Sequence, residues 1–217
     1  MSRLVLASAS PRRHELLRAL VEDFDVVVSN TDESSGESGP AARAVDIALA
    51  KARAVAGQHP DATIIGADTI VDDGTREYGK PSGADDARDM LRALRGRTHR
   101  VATGVAVIAG GEEHTAAGVA RVTLAELPDE SIEAYIASGR PLDKAGAYAI
   151  QDEDVPVVAS FAGCYCAVMG LPLWTLRNLL GAAGCDTADP GRCYARCATC
   201  PDSPGEDRAA KAGLQTG

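Results

Sequence analysis

Four short, separated stretches carry the residues best suited to chemistry on a phosphorylated ligand. The first is Ser8-Ala9-Ser10-Pro11-Arg12-Arg13, which follows the apolar run Leu4–Ala7. That run suits a buried strand, Ser10 suits a helix N-cap, and Pro11 suits the first helical position. First-turn N–H groups have no intrahelical acceptor, so such a turn favours an anion, and Arg12 and Arg13 add donors able to grip phosphate bidentately. Two cations at the positive end of a helix are misplaced unless a polyanion faces them. A solvated arginine pair after an ordinary capped turn is the alternative. The second stretch, Gly66-Ala67-Asp68-Thr69, ends the apolar run from Ala62, and its small pair lets a substrate approach the mouth of that strand. Asp68 is therefore the leading catalytic candidate, set against an aspartate that only caps a turn. The third, Gly79-Lys80-Pro81, lies near Asp68 if Ile70-Val71 and Glu77-Tyr78 form a hairpin around Asp72-Asp73-Gly74. The fourth runs from Asp143-Lys144 to Gln151, placing two charges among small residues and one aromatic. Gln151 both donates and accepts, as reading a base edge requires; capping a strand end is its other role.

The elements that must position these residues follow from periodicity. Phe24 to Val28 reads as a second strand, and the polar loop after it holds Asp32 and Glu33, suited to Mg²⁺ or simply to solvent. Ala41 to Ala56 reads as a helix with an apolar stripe through Val45, Ala48, Leu49, Ala52 and Val55, carrying Lys51 toward a phosphate or toward water. A helix over Ala84–Leu94 closes at Gly96, and Val101–Ala109 pairs antiparallel with Gly118–Leu127 across Gly110-Gly111. A helix from about Ser131 to Ala137, a strand from Val155 to Phe161 and a last helix from Leu171 to Leu180 complete the body. His99 and His114 are spaced for neither a zinc site nor a triad and read as ordinary polar residues.

Composition narrows the function. At 217 residues and 45% hydrophobic content the chain can fill a substantial core, and its net charge of -9 argues against a nucleic-acid polymer or an anionic membrane as partner. Clustered Lys and Arg are then local devices for a small anionic ligand such as a nucleotide. No apolar run reaches the roughly 20 residues that span a bilayer and the N-terminus lacks a signal-peptide pattern, so a cytoplasmic location is expected. All six cysteines, Cys164, Cys166, Cys185, Cys193, Cys197 and Cys200, lie in the last quarter of the chain, unlike a disulfide-stapled scaffold.

Residues 4–180 resemble the Maf family of nucleoside triphosphate pyrophosphatases. The likeness rests on Leu6 to Arg13 with Glu15-Leu16-Leu17, Lys51-Ala52, Gly66-Ala67-Asp68-Thr69, Gly79-Lys80-Pro81, Asp143 to Gln151, and Val168-Met169-Gly170-Leu171-Pro172-Leu173, in that order. It implies an α/β fold, an elongated and twisted mixed sheet flanked by helices around a central nucleotide cleft, of the ITPase-like kind. It also implies hydrolysis of a nucleoside triphosphate to monophosphate and pyrophosphate, a house-cleaning role. By motif, Asp68 takes the catalytic position; Ser8, Arg13, Lys51 and Lys80 take phosphate positions, with Lys144 in the same charged cleft. Glu33, with Asp68, takes the place of a divalent-metal ligand, for Mg²⁺ or Mn²⁺. Arg12, Thr69 and Gln151 fall where the branch acting on dTTP and UTP departs from the branch acting on methylated guanine nucleotides, and they look like the former. Asp152-Glu153-Asp154 and Cys164-Tyr165-Cys166 depart from the family pattern, the acids leaving substrate range open and the thiols reading as small core residues.

The expected organisation is a Maf-like domain over 1–183 and a Cys-containing tail over 184–217, its end polar and mobile. Cys185, Cys193, Cys197 and Cys200 would supply four thiolates to Zn²⁺, or three of the cysteines an iron–sulfur cluster; reduced, metal-free thiols are the alternative. Two rival functions remain: a nucleotide-binding regulator linked to cell division, and a phosphatase releasing orthophosphate. A homodimer is left open.

Overall fold

The structure is a computed structural model that describes residues 3–29, 31, 33–152 and 155–203. Strand β1 (Arg3–Leu6) forms where the N-terminal apolar run was expected, and it lies between two parallel neighbours, β2 (Asp25–Val26) and β3 (Ala62–Asp72). From β3 onward all pairing is antiparallel: β4 (Glu77–Tyr78), β5 (Thr98–Ala109), β6 (Glu112–Leu124) and β7 (Val158–Gly163) complete an open seven-stranded sheet of order β2-β1-β3-β5-β6-β7, with β4 on β3. The mixed α/β expectation holds in this sheet.

Helices cover both faces. Helix α2 (Pro40–Ala56) lies across one face on its stripe of Ala44, Ala48 and Ala52. It sits so close that a Cβ on Gly66 would fall 2.1 Å from the Ala48 carbonyl oxygen, and one on Gly104 2.2 Å from the Ala44 carbonyl carbon. Only glycine allows that approach. The opposite face carries α1 (Pro11–Arg18), α5 (Tyr165–Met169) and α6 (Leu173–Ala182), packed on Leu6, Ile65, Ala67, Val105 and Val107. At the far end, α3 (Ala84–Leu94) and α4 (Asp129–Ala137) enclose Val71, Tyr78, Val101, Val122 and Tyr148. The long strands β3 and β5 run through both cores.

Three expectations need correcting. Strand β3 does not end at Asp68-Thr69; the β-branched Ile70-Val71 continues it to Asp72, paired throughout with β5. Ser10 occupies the N-cap position of α1, but its side chain caps nothing; Ser8 Oγ closes the turn by accepting the Ser10 N–H at 3.2 Å. The second strand is two residues long rather than five. Residues 185–203 pack back on the α1/α5/α6 face, with Cys197 and Cys200 buried in its core. The expected polar, mobile end of the tail lies, from residue 204 on, outside the described residues, as do Asp32, Glu153 and Asp154.

Candidate active site

The site arises from a gap in the sheet. On one side of β3, β1 pairs only with residues 62–65 and β4 only with residues 71–72, so among the described residues the intervening edge has no strand beside it. A cleft of about 620 Å³ opens over this edge. Side chains alternate across a strand, so Asp68 points to the α2 face, like Gly66, and Thr69 to the α1/α5 face. Both reach the cleft because it wraps around the unpaired edge. Ser8, Arg12, Arg13, Glu33, Lys51, Asp68, Thr69, Lys80, Lys144 and Gln151 all line it. Every residue that the family resemblance assigns to the nucleotide site is thus brought to one place.

On the α2 side, Lys51 Nζ lies 2.7 Å from both Asp68 Oδ1 and Glu33 Oε1. Lys51 and Asp68 are each 9% exposed, whereas the Glu33 side chain reaches solvent. The hydrogen bond from Lys51 holds the Glu33 carboxyl below its usual range against the opposing effect of burial, and the charges of Lys51, Lys80 and Arg13 add to this. Two carboxylates gathered on one ammonium, open to a cleft, form a hard-oxygen donor set suited to a divalent ion shared with phosphates.

On the other side, Arg13 is fixed from three directions. Its Nε donates to the Gly170 carbonyl (2.9 Å), Nη1 to Ser8 Oγ (3.2 Å) and Nη2 to Thr69 Oγ1 (3.1 Å). A guanidinium has five N–H groups, so one on each terminal nitrogen stays available for a bidentate anion contact. Burial draws its pKa down from the ordinary value while Asp68 opposes that shift. His14, which sequence reasoning did not single out, holds the Ser8 carbonyl at 2.7 Å through Nε2 and so pins the turn.

Thr103 was also missed. Fully buried, it donates through Oγ1 to the Ala167 carbonyl (2.7 Å) and lies 2.9 Å from Thr69 Oγ1. Its one proton is committed to Ala167, so the Thr69 proton goes to Thr103 and the Thr69 lone pairs face Arg13 and the cleft. Alternation in β5 placed Thr103 in a strand, but only the register Thr69↔Thr103 makes it a partner of the site.

The cations at the cleft mouth are less free than expected. Arg12 Nη1 lies 3.0 Å from Asp143 Oδ2, and Lys144 Nζ lies 2.6 Å from Asp143 Oδ1 and also donates to the Arg140 carbonyl. Burial works against ionisation of Asp143, yet Lys144 and Arg12 keep its carboxyl below the usual range. Arg43 and Glu77 pair at 3.1 Å on the cleft wall, and Asp152 accepts the Tyr135 hydroxyl at 2.6 Å. His99 is buried against Tyr148, Nε2 to hydroxyl 2.7 Å, and neither His99 nor His114 belongs to a metal-ligand group among the described residues.

The expected tail set does not assemble. Among the described residues Cys185, Cys193, Cys197 and Cys200 form no common ligand group: Cys185 lies by Thr63 Oγ1 (3.7 Å), Cys193 is exposed, and Cys197 and Cys200 turn inward. The tail folds onto α5, so its inner cysteines face those of the core.

Residues 3–183 match the family model described as Maf-like protein. A dTTP/UTP pyrophosphatase of Moorella thermoacetica is 49% identical over 189 residues, covering 86% of this chain and 97% of that one. A dTTP/UTP pyrophosphatase of Bacillus cereus is 45% identical over 174 residues, covering 80% and 91%. A HAM1 protein of Coxiella burnetii superposes with a TM-score of 0.51 at 16% identity, over 84% of this chain and all of that one, which is a likeness of fold. No described helix is long and apolar enough to cross a membrane. On this match across the whole sheet and cleft, the chain belongs to the Maf family.

Proposed function

We propose that the chain hydrolyses dTTP and UTP to the nucleoside monophosphate and pyrophosphate, removing surplus or modified pyrimidine nucleotides in the cytoplasm. The observation that carries this reading is Asp68, held by Lys51 at 2.7 Å beside Glu33, at the edge of a cleft that also holds Arg13 and Lys80. The relatives' names support the reaction and its substrates.

Water attacks the α-phosphorus and pyrophosphate leaves, so the site needs a proton acceptor for the water and fixed positive charge for the leaving group. Asp68 orients the water and takes its proton. Lys51 keeps that carboxylate in place. Arg13, with its two remaining N–H groups, and Lys80 hold the departing phosphates; losing one such contact costs about 10²–10³ in rate. Glu33 and Asp68 would hold Mg²⁺ or Mn²⁺, which when bound withdraws charge from phosphate oxygens. Arg12, Thr69 and Gln151 read the base. The Thr69 hydroxyl has spent its proton on Thr103 and offers the cleft only a lone pair. That complements the N3–H donor of uracil or thymine and mismatches the bare N3 of cytosine.

The test is product analysis with dTTP, UTP, CTP, GTP and 7-methyl-GTP, with Mg²⁺ or Mn²⁺. Pyrophosphate with dTMP or UMP, and poor turnover of CTP, is the expected result. Preferred turnover of 7-methyl-GTP would overturn the assignment of Arg12, Thr69 and Gln151. Tight binding without turnover would leave a nucleotide-binding regulator, and released orthophosphate a phosphatase.

A further inference from the structure

Two pairs of buried thiols lie outside the nucleotide site, and each pair joins the body to the tail. Cys164 occupies the N-cap position of α5 and Cys166 lies in its first turn, while Cys197 ends a short turn after Pro190 and Cys200 follows three residues later. Cys166 Sγ is 3.3 Å from Cys197 Sγ, and Cys164 Sγ lies within 4.8 Å of Cys200 Sγ. All four are free thiols. We propose that this face is a site of reversible oxidation, where a small disulfide of the glutathione type converts the thiols into two cross-links, Cys166–Cys197 and Cys164–Cys200, that fasten the tail to α5.

The pairing follows from the path of the chain. Cys197-Ala198-Thr199-Cys200 has the spacing of a redox motif that closes on itself, yet each of its thiols meets a different partner on α5. Closing the Cys166–Cys197 contact from 3.3 Å to a bond of roughly 2.05 Å takes a movement of about 1.2 Å, within reach of side-chain rotation. Cys200, 6% exposed, is the most open of the four, and the hydrogen bond from Cys164 draws its thiol down from the ordinary value. It therefore reacts first. Its thiolate attacks one sulfur of the small disulfide and expels a small thiolate; Cys164 then gives its proton to solvent, attacks the Cys200 sulfur and expels the second. Two protein thiols are oxidised and one small disulfide is reduced to two thiols. A second small disulfide oxidises Cys166 and Cys197 by the same exchanges when the Ala195–Cys197 turn opens. In a reducing cytoplasm such cross-links are transient, so they form on oxidation and open when it ends. The tail otherwise rests on contacts such as the Trp174 Nε1–H bond to the Cys197 carbonyl at 3.0 Å and the Ala188 N–H bond to the Leu20 carbonyl at 2.9 Å. Cross-links across more than thirty residues of chain remove much of the freedom of a detached tail. They also brace the cleft, because α5 presents the Ala167 carbonyl to Thr103 and the Gly170 that follows it presents its carbonyl to Arg13.

The experiment uses the full chain, reduced and then incubated without oxygen in oxidised glutathione, alkylated under denaturing conditions and mapped by non-reducing peptide mass spectrometry. Cleavage at Tyr165 and at Ala198 keeps the two cross-links apart. The expected result is Cys166 linked to Cys197 and Cys164 to Cys200, with Cys185 and Cys193 in neither, and a melting temperature several degrees above that of the reduced chain that dithiothreitol returns to the reduced value. Cys197→Ser with Cys200→Ser should lose this gain, and Cys185→Ser with Cys193→Ser should keep it. The map of the unaltered chain decides the matter even if the first double variant folds poorly. Failure of either cross-link to form, or links of Cys164 to Cys166 and of Cys197 to Cys200, would overturn the proposal.

Discussion

Replacing Thr103 with Val isolates the contribution of the hydroxyl relay behind the phosphate grip. The two side chains have nearly the same shape, and Thr103 is fully buried, so the change deletes one hydroxyl and little else. Two hydrogen bonds disappear, 2.7 Å to Ala167 and 2.9 Å to Thr69, each with a net value of about 1 kcal/mol. The Ala167 carbonyl keeps the Gly170 N–H at 3.1 Å and is not left bare. A total of about 2 kcal/mol corresponds to a melting temperature lower by roughly 4–8 °C for a chain of this size. The site should suffer separately. Thr69, released from Thr103, can turn its proton toward Arg13 or the cleft, which weakens the third anchor of Arg13. A loss of about 1–2 kcal/mol there lowers kcat/KM for dTTP by roughly 5- to 30-fold and narrows the preference over CTP. Thermal unfolding and steady-state kinetics on Thr103→Val, with Thr103→Ser as the rescuing variant, provide the check. A Thr103→Val protein as stable as the parent, with unchanged kcat/KM and CTP discrimination, would refute the relay.

Other substitutions test neighbouring links. Lys51→Met leaves Asp68 and Glu33 facing each other without their shared ammonium; kcat should fall by at least about 10²-fold, and an activity within a factor of two of the parent would remove Lys51 from the site. His99 is pushed down from 6.5 to about 4 by burial, so its neutral form contributes stability in full above pH 6.5 that is lost as pH falls through 4. At 1.36 kcal/mol per unit this amounts to about 3 kcal/mol. Unfolding midpoints should therefore fall between pH 6.5 and 4 in the parent and fall less in His99→Phe; identical pH dependence would show that His99 is not the group responsible. Gly66→Ala forces a Cβ to within 2.1 Å of the Ala48 carbonyl oxygen, backbone that cannot step aside without moving α2, and should cost several kcal/mol. A Gly66→Ala protein with parental stability would mean that α2 packs less closely on β3.

Much of the chemistry of the cleft was legible in the sequence because it depends on residues next to strong local signals. Pro11 marks the start of α1, the apolar run to Ala67 marks β3, and the alanine stripe of α2 carries Lys51, so Arg13, Asp68 and Lys51 could be set on their elements by position, while the phosphate roles of Ser8 and Lys51 came from the family resemblance. What stayed hidden depends on register and return paths. That Asp68 sits inside β3 rather than at its mouth follows from where β1 stops and β4 begins, which no window of sequence contains. Thr103 reads as one more strand residue until β5 is set against β3 with Thr69 opposite it. Asp143 was seen as one charge of a ligand wall, yet only the approach of α1 makes it the shared partner of Arg12 and Lys144. The cysteines show the same limit. Spacing grouped the four tail cysteines with one another, whereas the fold returns Cys197 and Cys200 to Cys164 and Cys166 across more than thirty residues of chain.

The central claim, that Asp68 directs water to the α-phosphorus, is tested most directly by hydrolysis of dTTP in ¹⁸O-labelled water, with mass spectrometry of both products. The account predicts the label in dTMP and none in pyrophosphate, with both products nearly abolished in Asp68→Asn while dTTP binding persists. Label in pyrophosphate, or near-parental turnover by Asp68→Asn, would contradict it.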